Sequence, residues 1–332
     1  MKKLKIMLGL VLAGAFLHGC GSSSLEFGFG AVATYGVAED TPGADVETEI
    51  NYVAATFDKK GVIQDLRLDT VQIKVAREDE ALVLVDNVAE GKEVLTKWDL
   101  LEDYGMKDLS TLIGIGKEWY EQAESFEKWT VGKTVAEVKA KVQEDHSLEG
   151  GVDVGVSIHV NGFVDALEVA AANKVKVQGK VAALGVGGVN TISGTEPDDG
   201  YDYTVAGAAF DKDKKVVAAR IDTFQLLFDS ENKEEAVMDE TQVQIADGVI
   251  RGKQELKEEY GMKGLSSQIG IGKEWYEQAA ALADHLIGKT VNDALGAGET
   301  IANGADVGVS ITVSHYRDAL LRAEHSAFNK RY

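Results

Sequence analysis

The chain has 332 residues, is 45% hydrophobic, and carries a formal charge of −21 with a pI near 4.7. That length suits two domains, and the apolar fraction is enough for two cores. The acidity, with no clustered Lys/Arg run to offset it, argues against a nucleic-acid-binding role.

The first residues read as a secretory leader. In MKKLKIMLGLVLAGAFLHGC three lysines precede an apolar run too short to span a bilayer. The run ends at Cys20, the only cysteine, which is followed by GSSS. A small residue before a lone Cys resembles the bacterial lipobox. The resemblance implies a signal peptide at residues 1–19, cleavage before Cys20, lipidation of its sulfur, and a lipidated linker at residues 20–26. The alternative is a buried free thiol. Cleavage removes three lysines and takes the charge from −21 to −24. With no second cysteine, disulfides are excluded.

The rest of the chain reads as a tandem repeat. IGIGKEWYEQA occurs at 113–123 and again, unchanged, at 269–279. Longer segments align around it, such as EDYGMKDLSTLIGIGKEWYEQA at 102 with EEYGMKGLSSQIGIGKEWYEQA at 258. The repeat predicts an α+β chain of two homologous domains, residues 27–172 and 173–332, each a small antiparallel sheet packed with helices. The boundary falls in the polar stretch 172–178.

In the first copy, β-branched runs predict strands at 53–57, 62–69 and 71–75, with Asp58-Lys59-Lys60-Gly61 as a hairpin turn. Strands at 205–210, 216–222 and 224–228 are expected in the second. A helical period begins at Glu118 and Glu274. It puts Trp119, Tyr120, Ala123 and Phe126 on one face and stops at Gly132 and Gly288. Short helices are expected from Thr134 and Thr290. The alternation in Val152-Asp153-Val154-Gly155-Val156-Ser157-Ile158-His159-Val160 predicts an extended segment with one buried face, and likewise at 307–313. Asn161 and Ser314 are placed as N-caps of closing helices.

The chemistry these pieces permit is narrow. None of the six histidines occupies equivalent positions in both copies; His159, for example, aligns with Thr312. A duplicated His-dependent hydrolase or zinc site is therefore unsupported. What is duplicated is Asp-Thr-x-Gln (69–72 and 222–225), Tyr-Gly-Met-Lys, Gly-Ile-Gly-Lys-Glu-Trp-Tyr and Asp-Val-Gly-Val-Ser. This set of aromatics, glycines and hydroxyls suits holding a planar cofactor that performs its own chemistry.

The run GIGKEWYEQAESFEKWTVGKT, followed downstream by a small-residue hydroxyl motif and a helix, resembles the FMN-binding domain, and the whole resembles tandem FMN-binding lipoproteins of extracellular electron transfer. The resemblance implies FMN bound covalently, up to two per chain, through its phosphate to a Ser or Thr hydroxyl by a flavin transferase. It places the acceptors at Ser157 and Ser310, with Thr312 as a second candidate. It puts Gly114, Gly116, Trp119, Gly270, Gly272 and Trp275 around the cofactor and Asp153 and Asp306 in the motif. Asp153 and Asp306 lie four residues before the hydroxyl, where the family has six.

The implied function is a lipid-anchored electron carrier on the extracellular face of the cell membrane, rather than a classical enzyme. A membrane quinone-linked dehydrogenase would be its donor. The rival expectation is a non-redox binding lipoprotein that has lost its flavin. A third is a pheromone precursor in the leader.

Overall fold

The computed structural model describes residues 25–89, 93–192, 200–242, 244–301 and 304–329. Cys20 and the leader lie outside the described residues. Strands β1 (Glu26–Val37), β2 (Val46–Phe57), β3 (Ile63–Glu78) and β4 (Ala81–Val85) come first. Helices follow: α1 (Lys97–Leu100), a 3-10 turn at Leu101–Tyr104, α2 (Lys107–Thr111), α3 (Trp119–Thr130), α4 (Val135–Lys139), α5 (Gly151–Val154) and α6 (Asn161–Ala172). A two-residue strand, β5 (Val175–Lys176), connects to the second half. There the order returns as β6 (Ala183–Ile192), β7 (Tyr201–Phe210), β8 (Val216–Leu226), the short β9 (Ile245–Ala246) and β10 (Val249–Ile250), then α7 (Lys253–Leu256), a 3-10 turn, α8 (Lys263–Ser267), α9 (Trp275–Leu286), α10 (Val291–Leu295), α11 (Gly304–Val307) and α12 (Ser314–Phe328). The fold is mixed α+β, with antiparallel sheets packed against helices.

The layers are helix, sheet, sheet, helix. One sheet runs β4-β3-β2-β1-β10-β9, with β5 also on β1; the other is β6-β7-β8. Ile50, Tyr52 and Ala54 of β2 face Tyr203 and Val205 of β7 in an apolar layer shared by both halves. The alternate residues Val53, Ala55 and Phe57 face α3 and α6. Both faces are covered, so β2 is buried without a break from Ile50 to Phe57. This explains why its sequence shows little polar alternation. The β9–β10 hairpin of the second half pairs with β1 at Ala33 and Thr34, adding strands to the first half's sheet.

Close helix–strand contact fixes the outer layers. A Cβ at Gly28 would fall 2.2 Å from the carbonyl oxygen of Ala170, and one at Gly185 would fall 1.8 Å from that of Ala323. Glycine is required there because α6 and α12 lie directly on the backbone of β1 and β6. The helices α3 and α9 both finish beside a hairpin turn. Gly132 N donates to Ile63 O, and Gly288 N donates to Val216 O, each at 2.9 Å.

Three expectations need correction. The strands expected at 62–69 and 71–75 are one strand, β3, and those at 216–222 and 224–228 are largely one strand, β8, because the ladder continues through Thr70 and Thr223. The segment 152–160 is not extended. Residues 151–154 form the helical turn α5, closed by Gly155 at φ +78°, and only Val156, Ile158 and Val160 are buried. An alternation of Val with polar residues also fits a short turn followed by a looping segment. Asn161 and Ser314 are not N-caps: Val160 and Val313 hold those positions in helical geometry, without a side-chain cap.

Candidate functional site

The two strongest repeated motifs meet in space, and they do so the same way twice. The oxygen Oε1 of Gln122 accepts from Ser157 N at 2.6 Å and from Ser157 Oγ at 2.9 Å. In the second half Gln278 Oε1 accepts from Ser310 N at 2.7 Å and Ser310 Oγ at 2.9 Å. Both glutamines are fully buried. Their amides reach back to the loop before the helix, from Gln122 Nε2 to Lys117 O at 3.1 Å and from Gln278 Nε2 to Lys273 O at 3.3 Å. A buried amide left without partners would be costly, so the glutamine locks the serine loop to the helix entry.

A lysine approaches the same loop. A Cβ on Gly155 would lie 2.5 Å from Lys117 Nζ, and one on Gly308 would lie 2.4 Å from Lys273 Nζ. Both glycines have left-handed backbones, at φ +78° and +73°. Each lysine passes close over a turn whose left-handed backbone favours glycine. Lys117 Nζ also donates to Ser125 Oγ at 2.7 Å; alanine stands at the matching position, Ala281.

The Gly-x-Gly turns shape the helix entry. Gly114 and Gly116, and likewise Gly270 and Gly272, have positive φ. The turn delivers Glu118 and Glu274 to the N-caps of α3 and α9, each in a capping box. The same carboxylates accept from the backbone of the Tyr-Gly-Met-Lys segment: Glu118 from Met106 N and Lys107 N, Glu274 from Met262 N and Lys263 N, at 2.8 and 3.1 Å in both copies. A third motif is thereby tied to the first two.

The remaining expected residues are dispersed. Trp119 and Trp275 are core residues, each 2% exposed. Trp119 packs edge-on to Trp98, and Trp275 Nε1 donates to Tyr316 OH at 3.0 Å. Gly114 and Gly270 sit on exposed loops. Asp153 and Asp306 are exposed on α5 and α11, and among the described residues no hydrogen bond links them to Ser157 or Ser310. Thr312 is exposed, two residues beyond Ser310.

A second duplicated cluster was not anticipated. Lys97 is buried, 3.3 Å from Glu49 and over the ring of Tyr104; Lys253 is buried, 3.5 Å from Asp202 and over Tyr260. Burial works against each ammonium, yet the neighbours outweigh it and hold both lysines above the ordinary value. Gln72 and Gln225 join these clusters through Tyr104 and Asp202. The signal for both finds was available: Gln122, Lys117 and Lys97 each recur 156 residues later.

Asp69 and Asp222 anchor the following segment. Asp69 Oδ1 accepts from Thr70 N and Trp98 N, and Asp222 Oδ1 from Thr223 N and Gln254 N. Burial pushes the Asp222 carboxyl up to about 7, against the pull of the Gln254 and Thr223 amides. Between the halves lies a cleft of about 550 Å³ whose walls include Trp98, Asp99, Leu321, Arg322 and His325. Among the described residues, no group of three or more His, Cys, Asp or Glu side chains is placed to hold a metal, and no helix is long and apolar enough to cross a membrane.

No family model, curated protein or solved structure matches the chain.

Proposed function

We propose that the chain is a lipid-anchored electron carrier of two tandem FMN-binding-type domains on the extracellular face of the cell membrane, with FMN esterified to Ser157 and Ser310. The observation that carries this reading is the repeated serine loop. In each half a half-exposed hydroxyl is fixed by a buried glutamine, and a lysine ammonium reaches the same turn. A phosphate joined to that oxygen would meet the ammonium on a molecule that is otherwise strongly acidic.

The residues present fit the phosphate end of FMN. Gln122 and Gln278 orient the hydroxyl by accepting a hydrogen bond from it, which leaves the oxygen lone pairs free to attack the FMN phosphorus of FAD held by a transferase. The O–P bond would form as the P–O–P bond breaks, AMP would leave, and the hydroxyl proton would pass to a base of the transferase. The ring end fits less closely, since Trp119 and Trp275 are committed to the core and offer no face to a flavin. When bound, the flavin supplies the one- and two-electron redox chemistry. The donor in this reading is a membrane quinone-linked dehydrogenase.

The test is the intact mass of the chain made together with a flavin transferase. Two FMN increments are expected, falling to one in Ser157→Ala or Ser310→Ala and to none in the double variant. A bare polypeptide mass under these conditions overturns the proposal. A shared increment that survives in the double variant moves the site to Thr312 or another hydroxyl.

A second reading, a non-redox binding lipoprotein, draws on the cleft between the halves. Its volume suits a small ligand, and it combines an indole, two aliphatic walls and paired charges.

A further inference from the structure

The fold gathers lysines that are scattered in the sequence onto one end of the molecule. Val177 N donates to Leu25 O, beside the start of β1, and Gln178 N donates to Val217 O, beside the start of β8. The connector 174–180 therefore lies against the ends of both sheets. The hairpin turns 58–61 and 211–215 close at this same end, because Phe57 pairs with Glu26 and Phe210 O accepts from Ala182 N. The Gly-Lys pairs after α3 and α9 reach it as well, bonded to Ile63 and Val216.

These five segments, with Glu26, hold ten lysines against four carboxylates. The connector and the second turn have three lysines each, the first turn two, and each Gly-Lys pair one. Lys59, Lys60, Lys176 and Lys180 are exposed, with no acidic partner within salt-bridge distance among the described residues. Glu26 pairs with Lys174, and Glu324 of α12 reaches in to Lys214. Those segments carry six more positive than negative charges, partly offset by Glu324 at Lys214 and Glu137 beside Lys133, on a chain whose total is −21. In salt the field of the distant acidic surface fades within about 10 Å, so a surface touching this end experiences mainly the lysines.

We infer that this lysine-rich end is a docking face for an anionic lipid surface. The inference rests on the lipid-anchored reading above, and the position of the chain entry supports it. Leu25 lies at the basic end, where its carbonyl accepts from Val177 N of the connector, five residues after Cys20. Five residues reach at most about 18 Å, so a lipid on Cys20 holds this end, and no other, close to the headgroups. The anchor supplies attachment, and the lysines set which way the body faces.

The test uses the chain from Gly21, which keeps every described element and carries neither lipid nor flavin. It is sedimented with vesicles of phosphatidylcholine alone or with 30% phosphatidylglycerol, in about 100 mM and about 500 mM salt. Binding is expected only to the anionic vesicles and only at low salt. Lys59→Glu, Lys60→Glu and Lys176→Glu together are expected to weaken it at least roughly tenfold. A control remote from this end and from the serine loops, Lys233→Glu with Lys257→Glu, is expected to bind like the parent. Equal binding to both vesicle types, no binding to anionic vesicles at low salt, or undiminished binding by the first variant overturns the inference. So does retention on a soluble polyanion as strong as on the vesicles. The assay is silent on flavin attachment, so its failure leaves Ser157 and Ser310 where intact mass puts them.

Discussion

Around Ser157 and Ser310 the two halves agree to within about a tenth of an ångström in every shared hydrogen bond of the serine and the N-cap glutamate. At the seam between the sheets they differ. Asp69 and Asp222 each accept from the matching backbone amide, Trp98 N or Gln254 N, but Asp69 also accepts from the Tyr52 hydroxyl, whereas Asp222 lies close against Gly252. Here a buried partner changes, while the half-exposed serine and the buried glutamine that fixes it are kept. Packing constrains buried side chains by volume but does not by itself require a half-exposed hydroxyl to be kept. The kept geometry is therefore the better guide to function, and the divergent geometry shows where one half has a property that the other lacks.

The largest test of that equivalence lies in the outer layers. Gly28→Ala and Gly185→Ala each drive a methyl into a helix carbonyl, and each is expected to cost roughly 2–3 kcal/mol in urea unfolding. A neutral result in one half alone would break the parallel between them.

Asp222 sharpens the difference. Its carboxyl has a pKa of about 7 when folded, against 3.8 as the ordinary value. Between those limits the folded chain holds a proton that the unfolded chain has released. Its contribution to stability therefore falls as pH rises from about 4 to about 7 and is flat above. The fall is bounded at about 4 kcal/mol. Asp222→Asn removes it, so the variant should gain on the parent steadily across that window in urea midpoints. A constant gap between the two would show that Asp222 is ionised throughout.

A smaller effect belongs to the site itself. Gln122→Ala and Gln278→Ala remove the acceptor for the serine N–H and hydroxyl. Each should loosen its loop by about 1–2 kcal/mol. Amide exchange at Ser157 or Ser310 should quicken by roughly tenfold in the matching half and not in the other.

Much of the architecture was readable in the sequence. The turn at Asp58 was visible because Asp58 Oδ1 caps Lys60 N and Val62 N locally, and Asp211 does the same for Asp213 N and Lys215 N. The helix from Trp119 was visible from its period and its stop at Gly132. The segment at 152–160 was misread because period two was counted without weighing Gly150, Gly151 and Gly155, whose backbones permit a turn. The sharing of one core by both halves could not be read, because the β9–β10 hairpin crosses to β1 through contacts more than 200 residues apart. For the site, the motifs were legible as repeats, but not their joining through Gln122 and Gln278. A buried glutamine inside a helical stripe has no pattern of its own. The basic end was hidden for the same reason, its lysines being spread from 59 to 289.

The long helices α3 and α9 both descend to the hairpin turns at the lysine-rich end. Each spans twelve residues and is about 18 Å long, so its opening turn stands about 12 Å above its last. The serine loops are fastened by Gln122 and Gln278 in those opening turns, at the end of each helix away from the hairpin turns. On the proposed reading, whatever loads or meets the two hydroxyls would approach from above while the underside stays engaged, so the two would not compete for the same ground.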